Sequence, residues 1–229
     1  MIIGINGKIG SGKDTVGKII QYLTYPVNVD IQTYLEKEVN GQFEIKPNVH
    51  TVPNFEIKKF AGKLKQIASL LTGIDVEKFE DQDFKMTNLG PEWARPFYDK
   101  ESNVHYETIT VRKFLQLLGT ECMRMGLHVN TWVNALFADY RAIERIPEKR
   151  MSIMPNWIIT DMRFPNEMEA VELREGVTIK VVRPGTAVGT HPSETALDDA
   201  YFDHVISNDG TIEDLVEKVR QVLTIERII

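Results

Sequence analysis

The chain has 229 residues, 42% of them apolar and 26% charged, and a formal net charge of −6. That length supports a sizeable core in one large or two small domains, and the acidic balance argues against general affinity for a nucleic-acid backbone. The single cysteine, Cys122, excludes an intrachain disulfide and argues against a metal–thiolate cluster. No apolar run reaches membrane-spanning length, and the N-terminus lacks the basic-then-apolar order of a signal peptide. The expectation is a cytoplasmic protein with neither a membrane nor a nucleic acid as partner.

The segment MIIGIN (1–6) is short, apolar and β-branched, and predicts a buried strand. GKIGSGKD (7–14) follows at once. It fits the phosphate-binding pattern G-x-x-x-x-G-K-[ST] except at its end, where Asp14 replaces the hydroxyl. Residues 14–23 carry Val16, Ile19, Ile20 and Leu23 at helical spacing, so the loop lies between strand and helix, the context its chemistry needs. Residues 25–54 read as an irregular insertion with a short helix near 33–39. FEIKKF (55–60) predicts a second strand, residues 61–73 an amphipathic helix stopped by Gly73, and residues 77–84 a further helical turn. Residues 88–106, with Pro91 and Pro96, read as loop. Two long helices are expected at 111–125 and 131–143. WIITD (157–161) predicts a buried strand, 166–174 a helix, VTIKVVR (177–183) a strand, 184–201 a lid-like loop, HVIS (204–207) the last strand and 211–225 the last helix. Strands alternating with helices imply an α/β fold with a mostly parallel five-stranded sheet wrapped by helices. Ligands of such sheets bind at the carboxyl ends of the strands.

Gly7, Gly10 and Gly12 allow a tight turn that aims backbone N–H groups at phosphate oxygens, and the following helix adds its positive end. Lys8, Ser11, Lys13, Asp14 and Thr15 complete the candidate ATP-binding loop, with Lys13 reaching the β- and γ-phosphates. Asp161, closing an apolar strand, reads either as a Mg²⁺ carboxylate or as a strand-end cap. Arg163 suits a phosphoryl group with spread charge. Lys65, Arg112 and Arg124 are candidates for a second anion, although each alone also reads as a surface residue. Arg112 and Gln116 share a helix face. Gly119, Thr120 and Glu121 interrupt a helical run, and Trp132 reads equally as a base-stacking or a core residue. His191, Ser193 and Glu194 lack the spacing of a zinc site or a nucleophile elbow. Residues 184–201 contain no Arg or Lys, so charge compensation falls to Lys13, Arg163 and Arg183.

SGKDT, FAGKLK, VRKFLQLLGTE followed by TWV, TDMRFPNEMEAV, IKVVRPG, THPSE and VISNDGTIEDL occur in one order along the chain. In this the sequence resembles the bacteriophage-type deoxynucleoside monophosphate kinases, P-loop enzymes with an adenylate-kinase-like fold of core, helical substrate cap and lid. The resemblance implies one domain over 1–229, with a cap at 61–145 and a lid at 184–201; the insertion at 25–54 has no counterpart in it. It implies transfer of the ATP γ-phosphoryl group to a deoxynucleoside 5′-monophosphate, in the host cytoplasm if the source is a phage, and it admits a homodimer. Carried over, Lys13, Asp161 and Arg163 are catalytic. Lys65, Arg112, Gln116, Gly119, Thr120, Glu121 and Trp132 bind the acceptor. The resemblance makes Asp14 a feature of the family rather than a broken motif; as an anion beside a triphosphate it is expected to meet Mg²⁺ through water, and Asp161 to hold the ion directly or through water. Two alternatives stay open: a P-loop kinase of another small phosphorylated acceptor, such as phosphomevalonate, and a nucleotide-dependent switch.

Overall fold

The computed structural model describes residues 1–24, 30–39, 55–146, 151–186 and 192–229. Most of the expected 25–54 insertion and part of the expected lid, His191 included, lie outside them. The chain divides into two compact units, Met1–Lys59 with Phe137–Ile229, and Phe60–Leu136.

The first unit is built on a five-stranded sheet. In chain order it holds β1 (Ile2–Gly7), α1 (Lys13–Thr24), α2 (Ile31–Val39) and β2 (Phe55–Lys58). All five strands of the main sheet are parallel, in the order β2–β7–β1–β8–β9, where β7 is Asn156–Ile159, β8 Val177–Val182 and β9 His204–Ser207. A parallel sheet covered on both faces needs strands apolar on both sides, which is why MIIGIN shows no alternation. On one face Ile3 and Ile5 join Val16, Ile19 and Ile20 of α1 and Leu215, Val219 and Leu223 of α9 (Ile212–Ile225) in a single core. On the other, α7 (Pro165–Glu172) and the turn before it come so close to β1 that a Cβ on Gly4 would lie 2.9 Å from Met162 Sδ in the turn and 3.2 Å from Val171 Cγ2 in the helix. The same unit holds a small antiparallel pair, β5 (Ile143–Ile146) and β6 (Met151–Ile153), and the short helix α8 (Pro192–Thr195).

The second unit is mainly helical. It contains α3 (Phe60–Thr72), a 3₁₀ turn at Val76–Glu80, α4 (Gln82–Met86), the hairpin β3 (Arg95–Tyr98) with β4 (Val104–Glu107), α5 (Val111–Gln116) and most of α6 (Thr131–Phe137). Ala68, Phe79, Leu89, Ile109, Val111, Phe114 and Leu118 form its own core. Gly73 ends α3 at φ 72°, a left-handed position where glycine carries no steric penalty.

Three expectations need correction. Residues 88–106 are not plain loop but hold the β3–β4 hairpin, whose strand residues are all exposed and therefore show no apolar alternation. The helix expected at 111–125 is α-helical only to Gln116 and continues as a π-helix over Leu117–Leu127. The helix expected at 131–143 stops at Phe137, because Phe137 and Tyr140 turn onto Trp157, with ring centroids 6.1 and 4.8 Å away. Among the described residues no helix is long and apolar enough to cross a membrane.

Candidate active site

The loop between β1 and α1 is shaped by its glycines. Gly10 and Gly12 have φ of 79° and 92°, where a side chain is strained. A Cβ on Gly7 would overlap Ser11 Oγ and approach the Val181 carbonyl to 2.9 Å. Ser11 is fully buried, and its hydroxyl has no hydrogen-bond partner among the described residues. The Ser11 N–H donates to the Lys8 carbonyl at 3.1 Å, and the Ser11 carbonyl accepts the Asn208 side-chain amide at 2.8 Å.

Lys13 opens α1 with its side chain only 12% exposed. Burial lowers its pKa; Asp14 and Asp161 act in the opposite direction, while Arg163 and Lys59 add to the lowering. Asp161 is buried in the turn after β7, and Arg163 lines a small cleft with Asn6, Gly7, Lys8, Ile9 and Glu194. Thus Lys13, Asp161 and Arg163 gather at the carboxyl edge of the sheet, beside the loop. The Asn6 amide donates to the Met162 carbonyl at 2.8 Å, and the Glu167 carboxylate accepts the Arg163 N–H at 2.8 Å and the Phe164 N–H at 3.2 Å. These bonds fix the backbone that carries Arg163. Arg183, by contrast, is exposed beyond the end of β8.

Asp14 is half exposed. The Thr160 hydroxyl donates to its Oδ1 at 2.9 Å, and Lys59 Nζ lies 3.4 Å from the same oxygen. Burial works against its charge, but Lys59, Lys13 and the Thr160 hydroxyl prevail and hold the carboxyl below its ordinary range. Thr15 sits half-buried in the same first turn. Lys8 turns away from the loop: its Nζ donates to Asp198 at 2.5 and 2.8 Å and to the Glu194 carbonyl at 2.6 Å. Lys180 reaches the neighbouring carbonyls of Leu197 and Asp198 at 3.3 and 2.8 Å. The two lysines anchor the described end of the expected lid.

The acceptor-site candidates lie in the second unit. Lys65 is buried and paired with Glu80. Arg112 donates to Gln82 Oε1 at 3.1 Å and approaches Met86 Sδ at 3.4 Å. Trp132 is buried, and its indole N–H donates to the Gly119 carbonyl at 2.8 Å, so it belongs to the framework of the π-helical segment. Gly119 is buried, Gln116 and Thr120 are half-buried, and Glu121 is exposed.

Sequence reasoning passed over Lys59, Thr160 and Asn208. All three stand just past the carboxyl ends of β2, β7 and β9, the edge where such sheets place their ligands, and that rule was the available signal.

A family model described as deoxynucleotide monophosphate kinase matches residues 97–219, more than half of the chain. The deoxynucleotide monophosphate kinase of Escherichia phage RB69 is 30% identical over 250 residues, covering 97% of this chain and 99% of the relative. The chain belongs to the deoxynucleotide monophosphate kinase family. The deoxynucleoside-5′-monophosphate kinase of Escherichia phage T5 is 28% identical over 237 residues, 91% of this chain and 89% of the relative. A third relative, from Enterobacteria phage T4, is 32% identical over 117 residues, about half of each chain. The segment matched by the family model includes Arg112, Trp132, Thr160, Asp161, Arg163 and Asn208. The glycine loop and Lys59 lie outside it. Within this family the fold is that of a P-loop kinase, and ATP is the co-substrate.

Proposed function

We propose that the chain transfers the γ-phosphoryl group of ATP to a deoxynucleoside 5′-monophosphate, giving ADP and the diphosphate. The observation that carries this reading is the meeting of the largely buried Lys13 side chain with Arg163 and Asp161 beside a positive-φ glycine loop, in a chain of this family. An oxygen of the acceptor phosphate attacks the γ-phosphorus, and the bond to the β–γ bridging oxygen breaks, leaving ADP. Such a transfer asks the protein for positioning and charge compensation rather than a nucleophile. The loop amides and the amino end of α1 hold the ATP phosphates. Lys13 and Arg163 oppose the charge that spreads over the transferred group.

The side chains present fit Mg²⁺. It takes oxygen ligands, keeps several waters and binds through one or two carboxylates together with substrate phosphates, and Asp14 and Asp161 supply carboxylates at the loop. When bound it neutralises phosphate charge. Lys65, Arg112, Gln116, Gly119, Thr120, Glu121 and Trp132 are assigned to the acceptor, Trp132 also holding the Gly119 carbonyl through its indole N–H. In that role Lys65 exchanges Glu80 for the ligand. Residues 61–145 then act as the substrate cap and 184–201 as the lid, whose closure excludes water. The place of action is the cytoplasm.

The test is a coupled ADP-release assay over the common deoxy- and ribonucleoside monophosphates. The expected result is ADP release that depends on a deoxynucleoside monophosphate. ATP hydrolysis indifferent to the acceptor, or turnover only with a non-nucleotide such as phosphomevalonate, would overturn the reading.

A further inference from the structure

Asp14 stands where loops of this pattern carry a hydroxyl, and its carboxylate is held from three sides. Thr160 and Lys59 share Oδ1 at 2.9 and 3.4 Å, and Lys13 Nζ lies 3.8 Å from Oδ2. Thr160 is itself immobilised. It is fully buried, and its methyl group packs against bare helix backbone: a Cβ on Gly17 would lie 2.6 Å from Thr160 Cγ2. A β-branched side chain pinned by its methyl has one direction for its hydroxyl, and here that direction is Asp14. The Thr160 N–H also donates to the Lys58 carbonyl at 3.3 Å. Neighbouring parallel strands β2 and β7 therefore end side by side, and Lys59 leaves β2 next to the first turn of α1.

Lys59 is one-third exposed and borders a cavity of about 550 Å³, lined also by Asp14, Lys18, Gln21, Glu56 and Ile57. That volume is in the range of small-molecule sites. Lys13 is not among the residues that line the cavity, and the cavity shares none with the cleft of Gly7, Lys8 and Arg163.

We propose that Lys59 binds the phosphate of the acceptor nucleotide, held ready at the cavity edge by Asp14, and that Thr160 is a positioning residue that aims Asp14. The proposal rests on the kinase reading above. Two ammonium groups and one carboxylate leave a net positive charge where two anionic substrates must meet. The carboxylate separates the ammonium groups while no phosphate is present. On arrival of the acceptor, Lys59 exchanges a carboxylate oxygen for a phosphate oxygen, which suits a point charge on a flexible stem. A chain with no Arg or Lys in residues 184–201 has to draw such cations from its body, and Lys59 is placed to be one.

The experiment measures steady-state kinetics and separate ATP binding, at saturating Mg²⁺, for wild type, Lys59→Ala, Lys59→Arg, Thr160→Val and Thr160→Ser. Lys59→Ala is expected to lower kcat/KM for the deoxynucleoside monophosphate at least tenfold, to leave the ATP Kd within threefold of wild type, and to keep the melting temperature. Lys59→Arg restores most of the loss. Thr160→Val, which keeps the shape and removes the hydroxyl, shows the same pattern at smaller amplitude, and Thr160→Ser, which keeps the hydroxyl without the methyl that aims it, recovers only part of that loss. Lys59→Ala within twofold of wild type overturns the proposal, as does equal weakening of ATP and acceptor. Thr160→Val within twofold of wild type, or weakening ATP as much as the acceptor, overturns the positioning role. Wild-type protein without acceptor-dependent ADP release refutes the kinase reading itself, whereas an active wild type with an equally active Lys59→Ala refutes only the role of Lys59.

Discussion

Asn208 donates its side-chain amide to the Ser11 carbonyl at 2.8 Å, and its own N–H to the Val182 carbonyl at 2.7 Å. The turn after the last strand thereby holds the glycine loop that follows the first. It leaves no room at Gly12, where a Cβ would overlap the Asn208 amide at φ 92°. Asn208→Ala should lower kcat/KM for ATP about tenfold, equivalent to ~1.4 kcal/mol, with a small change in melting temperature. Gly12→Ala should cost more, because it adds backbone strain to the clash. Kinetics with ATP as the varied substrate checks both, and equal values for wild type and Asn208→Ala would remove Asn208 from the loop's support.

Lys13→Met keeps the apolar stem and removes the charge. Turnover should fall by about 10²–10³-fold, the scale for losing one preorganised donor at a developing charge. Stability should move the other way. Burial lowers the Lys13 pKa, so below that lowered pKa the ammonium is carried in the folded state at a cost. The unfolded chain binds the extra proton between the lowered value and 10.5, so wild-type stability gains there as pH rises. Without nucleotide, Lys13→Met should be at least as stable as wild type at neutral pH, and the difference should shrink as pH approaches 10.5. Thermal melts across pH in the nucleotide-free protein test the sign.

Asp99 closes the β3–β4 hairpin. Its carboxylate accepts from His105 Nε2, from the N–H groups of Glu101 and Asn103, and from the Asn103 amide, at 2.9 to 3.1 Å. His105 contributes most to holding its pKa down at about 2, from 3.8. A depressed carboxyl pKa gives stability that is present above 3.8 and is lost as pH falls through about 2. NMR should show Asp99 titrating near 2 and the hairpin cross-peaks intact at pH values where other exposed carboxylates are already protonated. A midpoint at the ordinary value would contradict the turn geometry.

Trp132→Phe removes the indole N–H and leaves the buried Gly119 carbonyl without that donor. The cost should be about 1–3 kcal/mol, read from chemical denaturation. Because Gly119 lies in the π-helical segment, acceptor KM should rise while the ATP Kd stays near wild type. An unchanged stability would mean that the carbonyl finds water instead.

The inner strands of the main sheet were legible as buried apolar runs, MIIGIN and WIITD most plainly, whereas the edge strands FEIK and HVIS bury only Phe55 and Ile206. The order of the strands was not legible. Nothing local in FEIK says that it pairs with β7 at the edge, since neighbours in a parallel sheet are chosen by crossover geometry. The hairpin stayed hidden because Phe97, Tyr98, Val104 and Tyr106 are all solvent-facing and give strand pairing no apolar signature. The π turns of LLGTECMRMGL differ from α turns by one residue of spacing, too little to register over eleven residues. At the site, the loop and Asp161 announced themselves through residue type and order. Thr160 and Asn208 did not, since a threonine or asparagine acquires its meaning only from the partner that folding brings, here Asp14 and Ser11. Lys8 shows the converse. Its place in the motif suggested phosphate, yet folding gives its ammonium to Asp198.

Ile2 on the central strand pairs with Trp157, and Ile3 with Val177. β1 therefore has no neighbouring strand until roughly 150 further residues have been made, which at ~5–20 residues per second is about 8–30 s. For that interval only α1 is available to cover Ile3 and Ile5, and the Val181 carbonyl that abuts Gly7 has not been made. Long-range pairing of this kind also slows folding in general. A ribosome pause before residue 157 would prolong the exposure, so aggregation during synthesis should respond more to codon changes upstream of Trp157 than to those downstream.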